Sequence, residues 1–318
     1  MARVDELRLM AKVARMYYFQ GLNQQAITEK LQLHQSTISR MLKKARTVNL
    51  VRFSITTPPG IFAELEDQLA SRFDLRDVIV VDCPAEGEAM FRDLGTALAY
   101  FLETTLKPGR VVGISSWSRS LFPMVDALHP GDYCTGGTVV QILGGVGSVG
   151  NEYQAMHLAQ RLAGSIGAKP VLLQSPAIVG APEAQLILSR DPAVQPAVAL
   201  FEKLNLALVG IGSMEPSKML AVSGNIFSRE ERAELHRLGA VGDICFRFFN
   251  ADGEPIKSPL MKRVIGIDLE KLRACKQVVG VAGGIQKVQA ILGALRGGLI
   301  DTLITDQRTA EALAASQR

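Results

Sequence analysis

The chain has 318 residues, 47% hydrophobic and 21% charged, with a formal net charge of +4. That length holds one large domain plus a small one, and the composition excludes a disordered or fibrous chain. No apolar run approaches the roughly 18 residues that span a bilayer, and the start, "MARVDELRLMAKVARMYYFQ", carries acids too early for a secretory signal.

Charge is unevenly placed. Residues 1–60 hold 10 Lys and Arg against 3 Asp and Glu, and the remainder holds 25 against 28. A basic head on a mildly acidic body points to a polyanion contact confined to the N-terminus. Cys83, Cys134, Cys245 and Cys275 form no CxxC and have no nearby His cluster, which predicts neither zinc nor disulfides and fits a cytoplasmic location. His129, His157 and His236 lack partners at metal-ligand spacing, so no metal and no cofactor is expected.

Taken in chain order, Val4, Leu7, Met10, Val13, Ala14 and Tyr17 recur at helical spacing until Gly21 breaks the pattern. A second helix is predicted over Gln24–Leu31 and a third over Gln35–Arg46. "LVRFSITTPPG" alternates like a strand, with Asn49–Ile55 leading out of the third helix, and stops at Pro58-Pro59. We place the boundary there, giving domains at 1–57 and 58–318.

In "QQAITEKLQLHQSTISRMLKKA", Ile27 and Leu31 point inward from one helix, and Ile38 and Leu42 from the next. The outward residues of the latter are Gln35, Ser36, Thr37, Ser39, Arg40, Lys43 and Lys44. Short polar groups near its start suit base edges, and the basic groups beyond suit phosphates. The stretch resembles the helix-turn-helix of bacterial transcription regulators, whose pattern is "Q..IA..LG.S...VSR.L..A". It departs from it at Thr28, Gln32 and His34. Gln32 is cheap only if its backbone avoids a left-handed conformation, and His34 is a poor N-cap.

Beyond Gly60, a helix over Phe62–Phe73 precedes "DVIVVD". Strand patterns then alternate with helices through "RVVGIS", "GGTVVQILGG", "KPVLLQSP", "LNLALVGIGS", "RVIGIDL", "KQVVGVAGG" and "DTLITD". Near-continuous apolar strands of this kind predict a mostly parallel sheet covered on both faces. Ligands of such sheets bind at the carboxyl-end loops near a topological switch point.

Three of those segments carry candidate effector-binding residues. "GISSWSRSL" offers Ser115, Ser116, Trp117, Arg119 and Ser120 as a phosphate cradle. "LGGVGSVGNEY" offers Gly144 and Gly145 for close backbone approach and Asn151 for hydroxyls. Lys287 opens a helix after a glycine turn, where a cation opposes the helix dipole and an anion would offset the cost. Asp243, after glycines and before an apolar strand, can accept two sugar hydroxyls.

"LNLALVGIGSM", "GAVGDICFRFFNADGEPI" and "VVGVAGGIQKVQAILGALRGGLIDTLITDQRTAEALA" resemble the SorC/DeoR-type sugar-binding transcription regulators, from Tyr17 to Ala314. The resemblance implies a small N-terminal all-helical winged or helix-turn-helix domain, then a large Rossmann-like α/β effector domain similar to sugar-phosphate isomerases. It implies double-stranded operator DNA as partner, a sugar, polyol or sugar-phosphate effector, a homotetramer, and contact of Asp243 and Lys287 with the effector. Trp117 stands where relatives carry a small residue, which leaves an unphosphorylated polyol or sugar open.

Three functions compete on the sequence. A ligand-responsive DNA-binding regulator of carbohydrate catabolism genes explains the basic head and the body together. A sugar-phosphate isomerase or deaminase with an accessory head needs a positioned general base, yet no Asp/Glu pair or His lies in a convincing catalytic frame. A structural or protein-interaction module leaves the basic helix unexplained. We therefore expect no catalytic residues.

Overall fold

The computed structural model describes residues 2–51, 58–116, 118–145, 151–215 and 228–316, with the backbone alone for 2–4 and 151–156. They divide into two compact units, Met1–Pro58 and Pro59–Arg318.

The first unit is three helices, α1 (Ala2–Tyr18), α2 (Gln24–Leu31) and α3 (Gln35–Thr47). Val13, Met16, Ile27, Ile38 and Leu42 form its core, with Leu22, Leu31 and Met41 packed around them. Asn23 caps α2 by accepting the Ala26 N–H at 2.8 Å. At the other end of α2 the expectation for Gln32 fails, because the residue is left-handed at φ 54° and ψ 40°. Its N–H and that of Leu33 both bond back to the carbonyl of Thr28, a closure that demands this conformation. His34 supplies no side-chain cap to α3.

The strand expected over Asn49–Ile55 does not begin where predicted. Asn49 is left-handed at φ 57°, and the N–H groups of Leu50 and Val51 both return to Ala45 O, closing α3 with a turn. Residues 52–57, the rest of that expected strand, lie outside the described residues.

The second unit carries a seven-stranded, wholly parallel sheet. Its strands are β1 (Asp77–Val81), β2 (Val111–Ile114), β3 (Thr138–Gln141), β4 (Lys169–Val171), β5 (Leu206–Gly210), β9 (Val278–Val281) and β10 (Thr302–Asp306), in the order β1-β10-β9-β5-β2-β3-β4. Three short strands, β6 (Gly212–Ser213), β7 (Gly242–Ile244) and β8 (Arg247–Phe249), make a second, antiparallel sheet.

Successive side chains of a strand face opposite ways, and each face of the large sheet has its own core. Val112, Ile114, Val139, Leu206, Leu208 and Ile304 pack under α5 (Glu88–Thr105), α6 (Leu121–Ala127) and α7 (Asn151–Ser165). Val78, Val140, Ala207, Val209 and Leu303 pack on the other face, against α4 (Ala63–Phe73), Val288–Arg296 and the closing helix Gln307–Ala315. Burial on both faces is why the strands read as continuous apolar runs. The Arg72 guanidinium of α4 binds the carbonyls of Leu313, Ala314 and Ser316, so the first helix of this unit grips the end of its last one.

The segment "RVIGIDL" (263–269) is not the expected strand. Among the described residues it forms two isolated bridges, Leu143 with Gly266 and Ile178 with Val264. The half-buried Arg247 side chain takes part of its hydrogen bonding: the guanidinium donates to the carbonyls of Met261, Val264, Gly266 and Ile267. No helix among the described residues is long and apolar enough to cross a membrane.

Candidate functional site

On α3 the inward positions Ile38, Leu42 and Ala45 are buried, while Gln35, Ser36, Ser39, Arg40, Lys43 and Lys44 are exposed and Thr37 is half-buried. The basic groups are held differently. Arg40 donates to Ser36 O at 3.3 Å, one turn back, whereas Lys44 pairs with Glu6 of α1 at 2.5 Å. Among the described residues no carboxylate pairs with Arg40 or Lys43. The polar start and basic flank of α3 thus share one open surface.

In the second unit the chain runs outward from β2 through β3 to β4, then returns to place β5 on the other side of β2. The carboxyl ends of β2 and β5 therefore flank the topological switch point, where open α/β sheets hold ligands. The loop after β2 carries Ser115, Ser116, Ser118 and Ser120, all buried. Ser116 Oγ donates to Leu143 O at 2.9 Å, and Ser115 bonds the Cys245 side chain. Ser118 lies against Gly210 at the end of β5, leaving no space for a side chain there. Arg119 pairs with Glu88 and stacks on Phe91 at 4.3 Å. Ser120 precedes α6 without capping it through its side chain. Trp117 lies outside the described residues.

Asp243 and Lys287 converge on the loop after β5. Asp243 lies inside β7, not in a loop before a strand as the sequence reading had it, and pairs with Gly212 of β6. A side chain on Gly212 would begin 2.1 Å from Asp243 Oδ1, so only glycine admits the carboxylate here. Asp243 Oδ2 accepts the N–H of Phe246 at 3.0 Å. Lys287 ends a single 3-10 turn, Ile285–Lys287, and its Nζ donates to Ile211 O at 2.8 Å.

Burial dominates the titration of both groups. It pushes the Asp243 carboxyl up to about 6 against the opposing pull of the Phe246 N–H and Lys287. It pushes Lys287 down to about 8, with Asp243 working against the shift and Arg119 adding to it. Near neutral pH the site therefore presents a carboxylate and an ammonium, with the Arg119 charge close enough to be felt.

Residues 245 and 246 form the tip of the β7–β8 hairpin, both at positive φ (54° and 58°), a turn that normally takes Asn or Gly. Each such non-glycine residue costs about 1–2 kcal/mol. Backbone strain of this kind clusters at functional sites. Nothing in "ICFR" announces it, and no sequence signal marks the Ile211 carbonyl as the partner of Lys287.

Gly144 and Gly145 lie one strand farther out, and their N–H groups are engaged with Ile265 O and Ser175 O. A side chain on Gly144 would strike Pro176 O at 2.5 Å. Close packing against residues 175–177 thus accounts for the first glycine, and Ser116 links this loop to the switch point. Asn151 begins α7, where the backbone alone is described.

Residues 57–315 match the family described as "Putative sugar-binding domain". The chain is 30% identical to the sorbitol operon regulator of Klebsiella pneumoniae, over 98% of this chain and 99% of that protein. It is 32% identical to the deoxyribonucleoside regulator of Bacillus subtilis (strain 168), over 97% and 98%. The crystal structure of the full-length sorbitol operon regulator SorC from Klebsiella pneumoniae superposes with a TM-score of 0.73 at 29% identity, covering 98% of this chain and 99% of that one.

A three-helix unit followed by a parallel α/β body, similar over nearly its whole length to named regulators, defines a transcriptional regulator. The chain belongs to the sugar-binding-domain family of SorC- and DeoR-type regulators, in which DNA binding is under sugar control.

Proposed function

We propose that residues 1–57 bind operator DNA through α3, and that residues 58–318 bind the effector and hold the oligomer together. Gln35, Ser36, Thr37 and Ser39 read base edges in the major groove, while Arg40, Lys43 and Lys44 meet phosphates. Self-association of the body as a tetramer sets the spacing of half-sites. The exposed Leu186 and Ile187 on the helix Pro182–Ser189 support such self-association. The protein acts in the cytoplasm, on genes of carbohydrate catabolism.

The effector is a sugar, polyol or sugar phosphate held at the switch point. One observation carries this reading: Asp243 and Lys287, half-buried and oppositely charged, meet at the Ile211–Gly212 peptide. The carboxylate accepts ligand hydroxyls, and Lys287 with Arg119 attracts a phosphate or an electron-rich hydroxyl. Ser115, Ser116 and Ser120 line the β2 side, with Gly144 and Gly145 beyond them. Binding there favours one subunit arrangement and so changes operator affinity by its differential affinity for the two states.

The test is a thermal-shift screen with sorbitol, deoxyribose and their phosphates, compounds chosen because relatives are named for a sorbitol operon and for deoxyribonucleosides. A ligand stabilises by mass action. A compound that stabilises the wild type equally in Asp243→Asn and Lys287→Met variants would place the site elsewhere.

A further inference from the structure

Lys287 reaches Ile211 only because the turn before it is fixed. Gly284 stands at φ 101° and ψ 136°, a conformation reserved for glycine, and its carbonyl accepts the Lys287 N–H at 2.9 Å. The Gly284 N–H points the other way, into a buried pair on β10 and the closing helix. It donates to Asp306 Oδ2 and to Thr309 Oγ1, both at 2.8 Å. The Thr309 hydroxyl in turn donates to Asp306 Oδ2 at 2.6 Å, and Asp306 Oδ1 accepts the Thr309 N–H at 3.0 Å. Both residues are buried, at 5% and 0% exposure. Asp306 Oδ2 also fills the space beside Gly283, so the preceding peptide cannot slide toward β10.

Capping Gln307–Ala315 needs only the Asp306 Oδ1 bond to Thr309 N–H. The second oxygen and the threonine hydroxyl are spent on Gly284, in another element. We propose that Asp306 and Thr309 are positioning residues for Lys287: they clamp the Gly283–Gly284 turn and thereby set where the lysine ammonium stands relative to Asp243 and Arg119. This inference rests on the reading of Lys287 as an effector contact, but its test does not require the effector.

The probe is trace acetylation of the full-length protein with acetic anhydride from neutral to alkaline pH, with Lys287 followed by mass spectrometry. Only the neutral amine reacts, so the labelling midpoint reports the environment of the ammonium. The wild type is expected to titrate near 8. Thr309→Val and Asp306→Asn should each move the midpoint up toward the ordinary lysine value of 10.5 as the ammonium leaves its buried seat. Thr309→Ser, which keeps the hydroxyl, should restore it. Asp268→Asn weakens a different helix cap, the Asp268 bond to the Lys271 N–H, and should lower stability without moving Lys287.

A midpoint unchanged from that of the wild type in either Thr309→Val or Asp306→Asn would reduce the pair to a helix cap and overturn the proposal. An equal shift in Asp268→Asn would also overturn it, by showing general loosening. If instead Lys287→Met leaves sugar-phosphate binding intact, the effector reading fails while the labelling result stands.

Discussion

Lys287 and Asp243 flank a single peptide link. The ammonium donates to Ile211 O at 2.8 Å, and the carboxylate lies over the adjoining Gly212. The two half-buried charges are thereby held beside one stretch of backbone, and desolvation resists the ionisation of each.

That resistance fixes a pH dependence. Asp243 is raised from 3.8 to about 6, so its contribution to stability is full below 3.8 and is lost as pH rises through about 6. Lys287 is lowered from 10.5 to about 8, so its contribution is full above 10.5 and is lost as pH falls through about 8. Between about 6 and 8 both are charged, and the pair favours folding least. Asp243→Asn should raise the Tm of the ligand-free protein at neutral pH, with the gain shrinking at about pH 5. Effector binding should peak in the same window and fall on either side. A gain in Tm that is flat across this range would contradict the assignment.

Gly212→Ala separates geometry from charge. The new methyl would stand 2.1 Å from Asp243 Oδ1, and the carboxylate must swing away from the Phe246 N–H to admit it. We expect a folded protein whose effector affinity falls at least about tenfold, roughly 1.4 kcal/mol. Isothermal titration of the variant and the wild type measures it.

The reader's turn is improvable. Gln32→Gly removes a left-handed penalty of about 1–2 kcal/mol but adds unfolded-state entropy worth about 0.5–1 kcal/mol. The net gain is about 0–1.5 kcal/mol. His34→Asp, supplying the side-chain cap that α3 lacks, should add about 1 kcal/mol. Calorimetry resolving the N-terminal transition checks both, and a loss of stability in either would refute the local geometry.

Salt dependence should distinguish the basic residues of α3. Arg40→Ala with Lys43→Ala removes the two proposed phosphate contacts and should flatten the log K against log salt slope by about 1.8 per reader. Lys44 already pairs with Glu6, so Lys44→Ala should matter less. Glu6→Gln should tighten DNA binding by freeing that charge. Mobility shifts at several salt concentrations, on DNA from the protein's own promoter region, give these slopes.

The sequence conveys the parts governed by periodicity. The continuous apolar strands and the alternation of inward and outward residues on α2 and α3 each have a direct physical cause in burial. It conceals what depends on a distant side chain. "RVIGIDL" has strand composition, yet Arg247, sixteen residues upstream of Arg263 in the chain, claims its carbonyls. Gly144 reads as a ligand loop, while the backbone of Pro176 accounts for its missing side chain. Asp243 and Lys287 were legible as charged residues beside glycines, but their meeting at Ile211 is a tertiary fact.

The grip of Arg72 on the end of the closing helix brings the two ends of the second unit close together. About 14 Å, the rise along α4 from Ala63 to Arg72, separates that contact from the start of the unit's first helix. Such ends can be joined by a short linker and the ring reopened elsewhere. A circular permutant of the body would therefore move the reader's tether to a new site while leaving the switch-point loops unbroken.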